Sequence, residues 1–286
     1  MILLTGAAGK TGRTVLKALA ERDQKVIVLV RNNKQAGDLL ALGAVDVIVG
    51  DMEDARVYEK ALRGVKSLYH ICPNMHPREL SIGGTIIQAA INHKLDHFVY
   101  HSVLHPQTEK MPHHWNKMRV EEMIFESGLE FTILQPAPYM QNILAGSEAI
   151  SKELIYRVPY PVTTRLSMVD LQDLARAAAT VLIEPDHKGA TYEIVGTGGL
   201  SQVAVAEQLS LALGHNITAV EQPLNEWRGT AESSGMAVHQ VEALIKMFNY
   251  YARYGLEGNS NVLSWLINGK PNSFYNFAKR DLAEEI

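Results

Sequence analysis

The chain has 286 residues, 47% of them apolar and 20% charged, and can bury a large core in one α/β domain or two smaller ones. Its formal net charge is -4, with both signs scattered and no basic stripe, which argues against nucleic acid as a direct partner. Cys72 is the sole cysteine, so no intramolecular disulfide can form, and no apolar stretch approaches the ~20 residues that span a bilayer. The run Ile2-Leu3-Leu4 after Met1 is too short for a secretory signal. These features predict a cytoplasmic protein with no membrane association.

In chain order, short β-branched or apolar runs predict strands at Ile2–Thr5, Lys25–Val30, Val45–Val49, Ser67–Ile71, His97–Ser102, Glu130–Gln135 and Thr191–Val195. Helical stretches lie between them. In Thr11–Glu21, for example, Val15, Leu16 and Leu19 share one face. Strands alternating with helices imply parallel pairing through right-handed crossovers, hence an α/β doubly wound sheet of the Rossmann type. The last ninety or so residues read differently. Ser201–Leu213 is a helix, Ile217–Glu221 a short strand and Val238–Tyr254 a long helix with Gly255 at its stop. The expected organisation is an α/β core over residues 1–150, with 165–195 returning to it, and a smaller, mostly helical portion over 196–286.

Residues Gly6-Ala7-Ala8-Gly9-Lys10-Thr11-Gly12 place three glycines between the first strand and the first helix. Gly6 permits the tight turn, Gly9 lets the backbone approach a pyrophosphate, and Gly12 lets the helix close on the strand. The phosphates then meet free N–H groups at the positive end of the helix, with Ala8, Lys10 and Thr11 in the same turn. A nucleoside-triphosphate P-loop ending at Gly9-Lys10-Thr11 is set aside, because its leading glycine would fall at Leu4 inside the strand.

The second strand ends in Arg31, followed by Asn32, Asn33 and Lys34, where an NAD-specific site wants a carboxylate. An arginine there stacks on adenine and pairs with a 2′-phosphate, so the expected cofactor is NADP(H). Asp51, leaving the third strand, either accepts from the adenine amino group or caps the helix that starts near Glu53. Met52 and Cys72, each following a strand, and Ser102 and Val103, at the close of the fifth, complete the expected cofactor contacts on that side. Pro136, Tyr139 and Asn142 follow the sixth strand at the carboxyl edge, where such sheets bind ligands, and predict one pocket wall. Trp115, Met140, Phe248 and Tyr251 either line an apolar acceptor site or belong to the core. Asp170 and Asp173 read as a helix N-terminus. His97, His101, His105, His113 and His114 cluster in sequence, but strand alternation and the loop at Pro106 scatter them, so no metal site is expected.

Several segments together resemble the NmrA-like family of atypical short-chain dehydrogenases/reductases. They are the glycine turn, the basic strand end, His101-Ser102-Val103, His114-Trp115-Asn116-Lys117, and the run from Ser127 through Pro136 into Tyr139-Met140-Gln141-Asn142. Tyr254-Gly255-Leu256-Glu257-Gly258-Asn259 and Asn268-Gly269-Lys270-Pro271 look like the family's closing segment. The resemblance implies an NADP-binding Rossmann domain with a small C-terminal substrate-binding portion. It reaches quinone, azo-dye and triphenylmethane reductases, and also redox-sensing regulators that bind the dinucleotide without turnover.

Classical members of that superfamily pair a tyrosine acid with a lysine four residues on. Here Lys117 holds the lysine position and His113 stands where the tyrosine would be. Tyr275 and Lys279 repeat the spacing, but they do not follow the fifth strand, and the match reads as chance. Without the tyrosine, reduction of a ketone lacks its acid, whereas conjugated acceptors take hydride and collect a proton from solvent. The expectation is an NADPH-dependent reductase of a quinone-like or other conjugated small molecule. In it Lys117 holds the cofactor ribose, His113 or His114 donates a proton, and His114, Tyr139, Asn142 and Phe248 face the substrate. The alternative is a non-catalytic NADP(H) sensor acting through a protein partner. A homodimer stays open, and a nucleotide-sugar epimerase is disfavoured because it needs the tyrosine.

Overall fold

A computed structural model describes residues 1–282, which divide into two compact units. The first comprises residues 1–107, 113–136 and 174–193, and the second 108–112, 137–173 and 194 onward. The strands of the first unit begin with β1 (Ile2–Thr5), β2 (Val26–Val30), β3 (Ala44–Val49), β4 (Ser67–His70), β5 (His97–His101) and β6 (Phe131–Pro136). Two short strands of the second unit, β7 (Ile155–Val158) and β8 (Arg165–Leu166), precede β9 (Ala190–Ile194), which returns to the main sheet. Each of the seven sheet strands lies within one residue of its predicted bounds.

The sheet order is β3-β2-β1-β4-β5-β6-β9. Strands β1 to β6 pair in parallel, from Ile2 beside Val26 to His101 beside Leu134. The Gly189 amide donates to Phe131 O and the Ala137 amide to Ile194 O, so β9 climbs in the same sense. Every residue of β1, β2 and β5 is buried, as expected for strands covered on both faces. At the edge, β3 buries only Ala44 and Ile48, leaving Val45 and Val49 about half exposed. Because β1 lies between β2 and β4, the winding reverses beside it. Ligands bind sheets of this type in the crevice at that switch point.

The connecting helices are α1 (Lys10–Ala20), α2 (Ala36–Ala41), α3 (Ala55–Ala61), α4 (Glu79–Asn92) and α5 (Pro112–Glu126); α6 (Ser147–Glu153) is in the second unit and α7 (Leu171–Ile183) leads back to β9. One core cluster joins Leu3, Ile27, Leu68 and Phe98 of the strands to Ile82, Ile86 and Val120 of α4 and α5.

The second unit adds β10 (Leu200–Ser201), α8 (Gln202–Leu213), β11 (Thr218–Glu221), α9 (Leu224–Ser233), α10 (Val238–Tyr254), α11 (Asn261–Leu266) and α12 (Phe274–Asp281). The long helix α10 has its predicted bounds and stops at Gly255. Strand β11 pairs in parallel with β7, and β10 antiparallel with β8. Its core unites Met140, Ile150, Val205, Leu209, Phe274 and Phe277. That clustering moves the expected boundary. The chain leaves the first unit after Pro136 rather than near 150, because Met140, Ile143, Leu144 and Ile150 bury themselves in the second unit's core. Residues 165–173 belong there too. Asp170 accepts from Gln172 N, Gln141, Asn272 and Arg280. Burial raises its carboxyl, but these donors outweigh that and leave it below the ordinary range. Asp170 thus caps α7, as its sequence context indicated.

Buried strand histidines make the first unit acid-sensitive. Burial pushes His70 and His101 down to about 3, and His97 to about 4. The folded chain therefore refuses protons that the unfolded chain accepts below about pH 6.5, and stability is lost as pH falls through that value. Each such histidine contributes up to about 1.4 kcal/mol per pH unit. We expect the urea midpoint to drop between pH 7 and pH 5. His97→Gln, which keeps a hydrogen bond to Thr132 (2.8 Å from His97 Nε2), should flatten the drop. A midpoint that stays level over this range contradicts the assignment.

Candidate active site

The turn after β1 is shaped by two close approaches. Gly6 has φ +64°, and a Cβ there would lie 2.7 Å from Ile71 O, at the end of β4. A Cβ on Gly12 would lie 2.3 Å from Gly6 O, so α1 can start this near the strand only with glycine at that position. Gly9 differs. Its φ of -77° suits any residue, and the nearest atom to an added Cβ is Gly6 O at an ordinary 3.5 Å. The protein itself does not require glycine at position 9. No side chain caps α1, its first turn holds no acid, and the amides of Lys10, Thr11 and Gly12 find no acceptor among the described residues. A helix start left in this state could hold an anion such as a diphosphate.

The end of β2 is basic and unpaired. Arg31 and Lys34 are exposed, as is Lys10 in the turn, and none meets a carboxylate among the described residues. Arg13 is occupied, donating to Ala8 O and pairing with Asp38 at 3.0 Å. The two readings of Asp51 are partly separated. Its Oδ1 accepts from Glu53 N in a local turn, whereas the cap of α3 is Asp54, which accepts from Arg56 N. Asp51 is therefore exposed and is not the cap of that helix.

Beneath the ends of β4 and β5 lies a buried polar network. Lys117 Nζ on α5 donates to Glu79 Oε1 on α4 at 2.7 Å and to His101 O at 3.1 Å. Both side chains are nearly sealed, at 7% and 1% exposure. The Tyr100 hydroxyl also donates to Glu79 Oε1, and the Tyr100 ring lies 5.3 Å from the ammonium. Glu79 Oε2 has no partner. Two of the three lysine N–H groups are thus placed, and the third has no acceptor among the described residues. His101 Nδ1 pairs with the Tyr69 hydroxyl at 2.6 Å. Ser102 donates to Glu121, which Gln135 also holds, and burial raises the Glu121 carboxyl despite both bonds.

One turn before Lys117, the rings of His113 and His114 meet edge to face at 4.6 Å. His114 Nδ1 pairs with His105 O, while His113 Nδ1 has no partner. Burial pushes His113 to about 3 and His114 to about 4, so both are neutral near pH 7. Met52 and Cys72 lie in the core cluster, and burial pushes the Cys72 thiol up to about 12. Ser102 and Pro136 are buried and Val103 is half-buried.

In the second unit Tyr139 bridges to Val169, its carbonyl accepts from Asn142 N, and Asn142 is exposed. Phe248 packs edge-on against Trp227 at 4.8 Å and tilts on Tyr160, while Tyr251 meets Tyr160 too, and both are core residues of that unit. Met140 is fully buried. Tyr275 and Lys279 sit on α12, also in the second unit. Among the described residues no three His, Cys, Asp or Glu side chains are grouped to hold a metal ion, and no helix is long and apolar enough to cross a membrane.

Sequence reasoning missed Glu79. The available signal was a lone charge opening the otherwise uncharged helix segment Glu79-Leu80-Ser81-Ile82-Gly83-Gly84-Thr85-Ile86-Ile87.

The fold and this glycine turn define a dinucleotide-binding α/β protein of the Rossmann type. The chain belongs to the NmrA-like family, which it matches over residues 1–285. It is 27% identical, over an alignment 288 positions long, to the NAD(P)H azoreductase of Xenophilus azovorans, covering 99% of this chain and 98% of the relative. It is 26% identical to quinone oxidoreductase 2 of Escherichia coli K12, covering 96% and 95%. The crystal structure of the NADPH-dependent quinone oxidoreductase QOR2 from Escherichia coli, complexed with NADPH, superimposes with a TM-score of 0.86 at 25% identity, covering 97% and 98%.

Removing one partner of the sealed ion pair leaves the other charge without compensation. We expect Lys117→Met to cost about 3–5 kcal/mol of unfolding free energy. The double variant Lys117→Met/Glu79→Gln should recover a substantial part of that loss. Urea denaturation of both variants checks this, and equal losses would show that the two charges do not depend on each other.

Proposed function

We propose that this protein is an NADPH-dependent reductase that delivers hydride to a quinone-like or otherwise conjugated small molecule. The observation that carries the reading is the uncapped start of α1 behind Gly9, a glycine the fold does not need but a close-lying diphosphate would. The likeness to an azoreductase and a quinone oxidoreductase over nearly the whole chain supports the same class. In this reading the free amides of residues 10–12 hold the diphosphate, and Arg31 with Lys34 pairs with the 2′-phosphate. Lys117, fixed by Glu79 and His101 O, presents its remaining N–H to a ribose hydroxyl. Once bound, the nicotinamide supplies the hydride.

The acceptor class follows from what the chain lacks. No tyrosine precedes Lys117 by four residues, and the histidine in its place is kept neutral by burial. A carbonyl that must be protonated as hydride arrives is poorly served there. An extended π-system, which accepts hydride first and protonates from solvent later, is not disadvantaged.

A second reading, a dinucleotide sensor without turnover, is favoured by one observation. Lys117 already has its charge neutralised by a buried carboxylate, as a structural lysine would. Following loss of nicotinamide absorbance with NADPH and a panel of quinones and azo dyes separates the two. Turnover is expected. Tight binding of NADP+ and NADPH with no turnover on any acceptor favours the sensor. In the same assay Gly9→Ala should keep the thermal midpoint, since its Cβ meets only ordinary contact, yet weaken NADPH at least about ten-fold. An unchanged NADPH affinity removes the diphosphate from this turn.

For cofactor choice, Arg31→Asp should weaken NADPH by about 10- to 100-fold while changing NADH affinity far less. Equal losses for the two coenzymes, measured by fluorescence titration, would mean that Arg31 does not read the phosphate.

A further inference from the structure

The second unit carries a recess of about 360 Å³ lined by Lys110, Lys246, Asn249, Tyr250, Arg253 and Tyr254. Five of these six lie on α10 at positions 246, 249, 250, 253 and 254, the three- and four-residue spacing that puts side chains on one helical face. The opposite face buries Val241, Phe248 and Tyr251 in the core. Lys110 arrives from a distant segment and donates its Nζ to the Tyr254 hydroxyl at 3.1 Å, the ammonium also standing 5.1 Å from the ring centroid. The Arg253 guanidinium stands 5.3 Å from the same ring, and the Tyr250 and Tyr254 rings tilt together with centroids 4.9 Å apart.

The charge of this face is unusual for the chain that carries it. The whole molecule is net negative, at -4, yet the recess gathers three cations and no carboxylate. The acids that would ordinarily neutralise such a face are engaged elsewhere or lie outside it. Glu242, one turn before Lys246 on the same helix, is paired with Arg228 at 2.5 Å; it also feels the Lys246 charge, without forming an ion pair with it, and it does not line the recess. Glu109, beside Lys110 in sequence, is not among the lining residues. A solvated helix face ordinarily mixes both signs, and cations in the last turn answer the helix dipole. Neither accounts for Lys110, which comes from outside the helix and completes the face from above.

We propose that this recess is a binding site for a small planar aromatic anion, an arenesulfonate or arenecarboxylate. The cations hold the acid group with charge-assisted hydrogen bonds, Arg253 offering the planar fork that matches a sulfonate or carboxylate edge. The Tyr250 ring takes the aromatic body, Tyr254 being already met by Lys110 and Arg253, and Asn249 adds a neutral donor or acceptor. The recess is open to solvent, so a one- or two-ring compound would lie along it rather than be enclosed. The proposal stands on this unit alone and is independent of the reductase reading.

Calorimetric titration of the full chain with 2-naphthalenesulfonate, without coenzyme, tests it. We expect saturable binding that weakens as salt is raised, and at least a ten-fold loss in Lys246→Ala/Arg253→Ala. Both side chains are exposed, so that variant should retain its circular dichroism spectrum and thermal midpoint. Tyr250→Ala should weaken the sulfonate while leaving any weak binding of inorganic phosphate as it was. The uncharged 2-naphthalenemethanol should not bind. The assignment is overturned if the sulfonate fails to bind at millimolar concentration, if the double variant binds it as tightly as the parent chain, or if the neutral alcohol or phosphate competes on equal terms.

Discussion

The main-chain approach of Gly12 to Gly6 O, and of Gly6 to Ile71 O, is the constraint from which the rest of the first unit follows. It allows α1 to begin directly against the end of β1. That beginning has no side-chain cap for a separate reason, since Gly9 at the cap position has none to offer. Helix starts usually satisfy their amides internally. Here the fold keeps them unsatisfied at the point where the sheet reverses its winding, which is where a ligand is best reached from both halves of the sheet.

A second constraint is electrostatic. Burying an ammonium beneath β5 is tolerable only because Glu79 meets it and a backbone carbonyl shares it. The same burial keeps His70, His101, His113 and His114 neutral and raises the Glu121 carboxyl, so the Lys117–Glu79 pair stands among groups that burial holds toward their neutral forms. That arrangement suits a lysine whose remaining hydrogen bond is meant for one particular hydroxyl, and it leaves no group that acts as a strong acid at neutral pH.

The sheet was legible in the amino-acid sequence because parallel strands buried on both faces read as short unbroken apolar runs, ended by glycine or a polar residue. Val26-Ile27-Val28-Leu29-Val30 is such a run. The α10 helix was legible because its apolar period is continuous and a glycine closes it. Other features rest on partners far apart in the chain. The strands β8 and β10 are two residues each and exist only through each other. The segment after β6 looked like a continuation of the core, yet its apolar side chains find theirs in α8 and α12. Glu79 and Lys117 are 38 residues apart, and Lys110 and Tyr254 are 144 apart, so neither meeting is written in any local pattern. Asp51 was ambiguous because both aspartates near that helix start have the right chemistry, and only the backbone shows which one the amides face.

The path of the chain has a consequence for its making. Strand β9 is separated from its sheet neighbour β6 by the whole segment 137–189, most of which belongs to the other unit. On a ribosome emitting the chain from its N-terminus, β6 emerges with one flank bare and stays so until more than fifty further residues have been added. A fragment ending anywhere before Ala190 would expose that flank permanently, as an open seam able to recruit a stray strand. Neither unit corresponds to a continuous stretch of the chain, so neither can be cut out or replaced as a single segment.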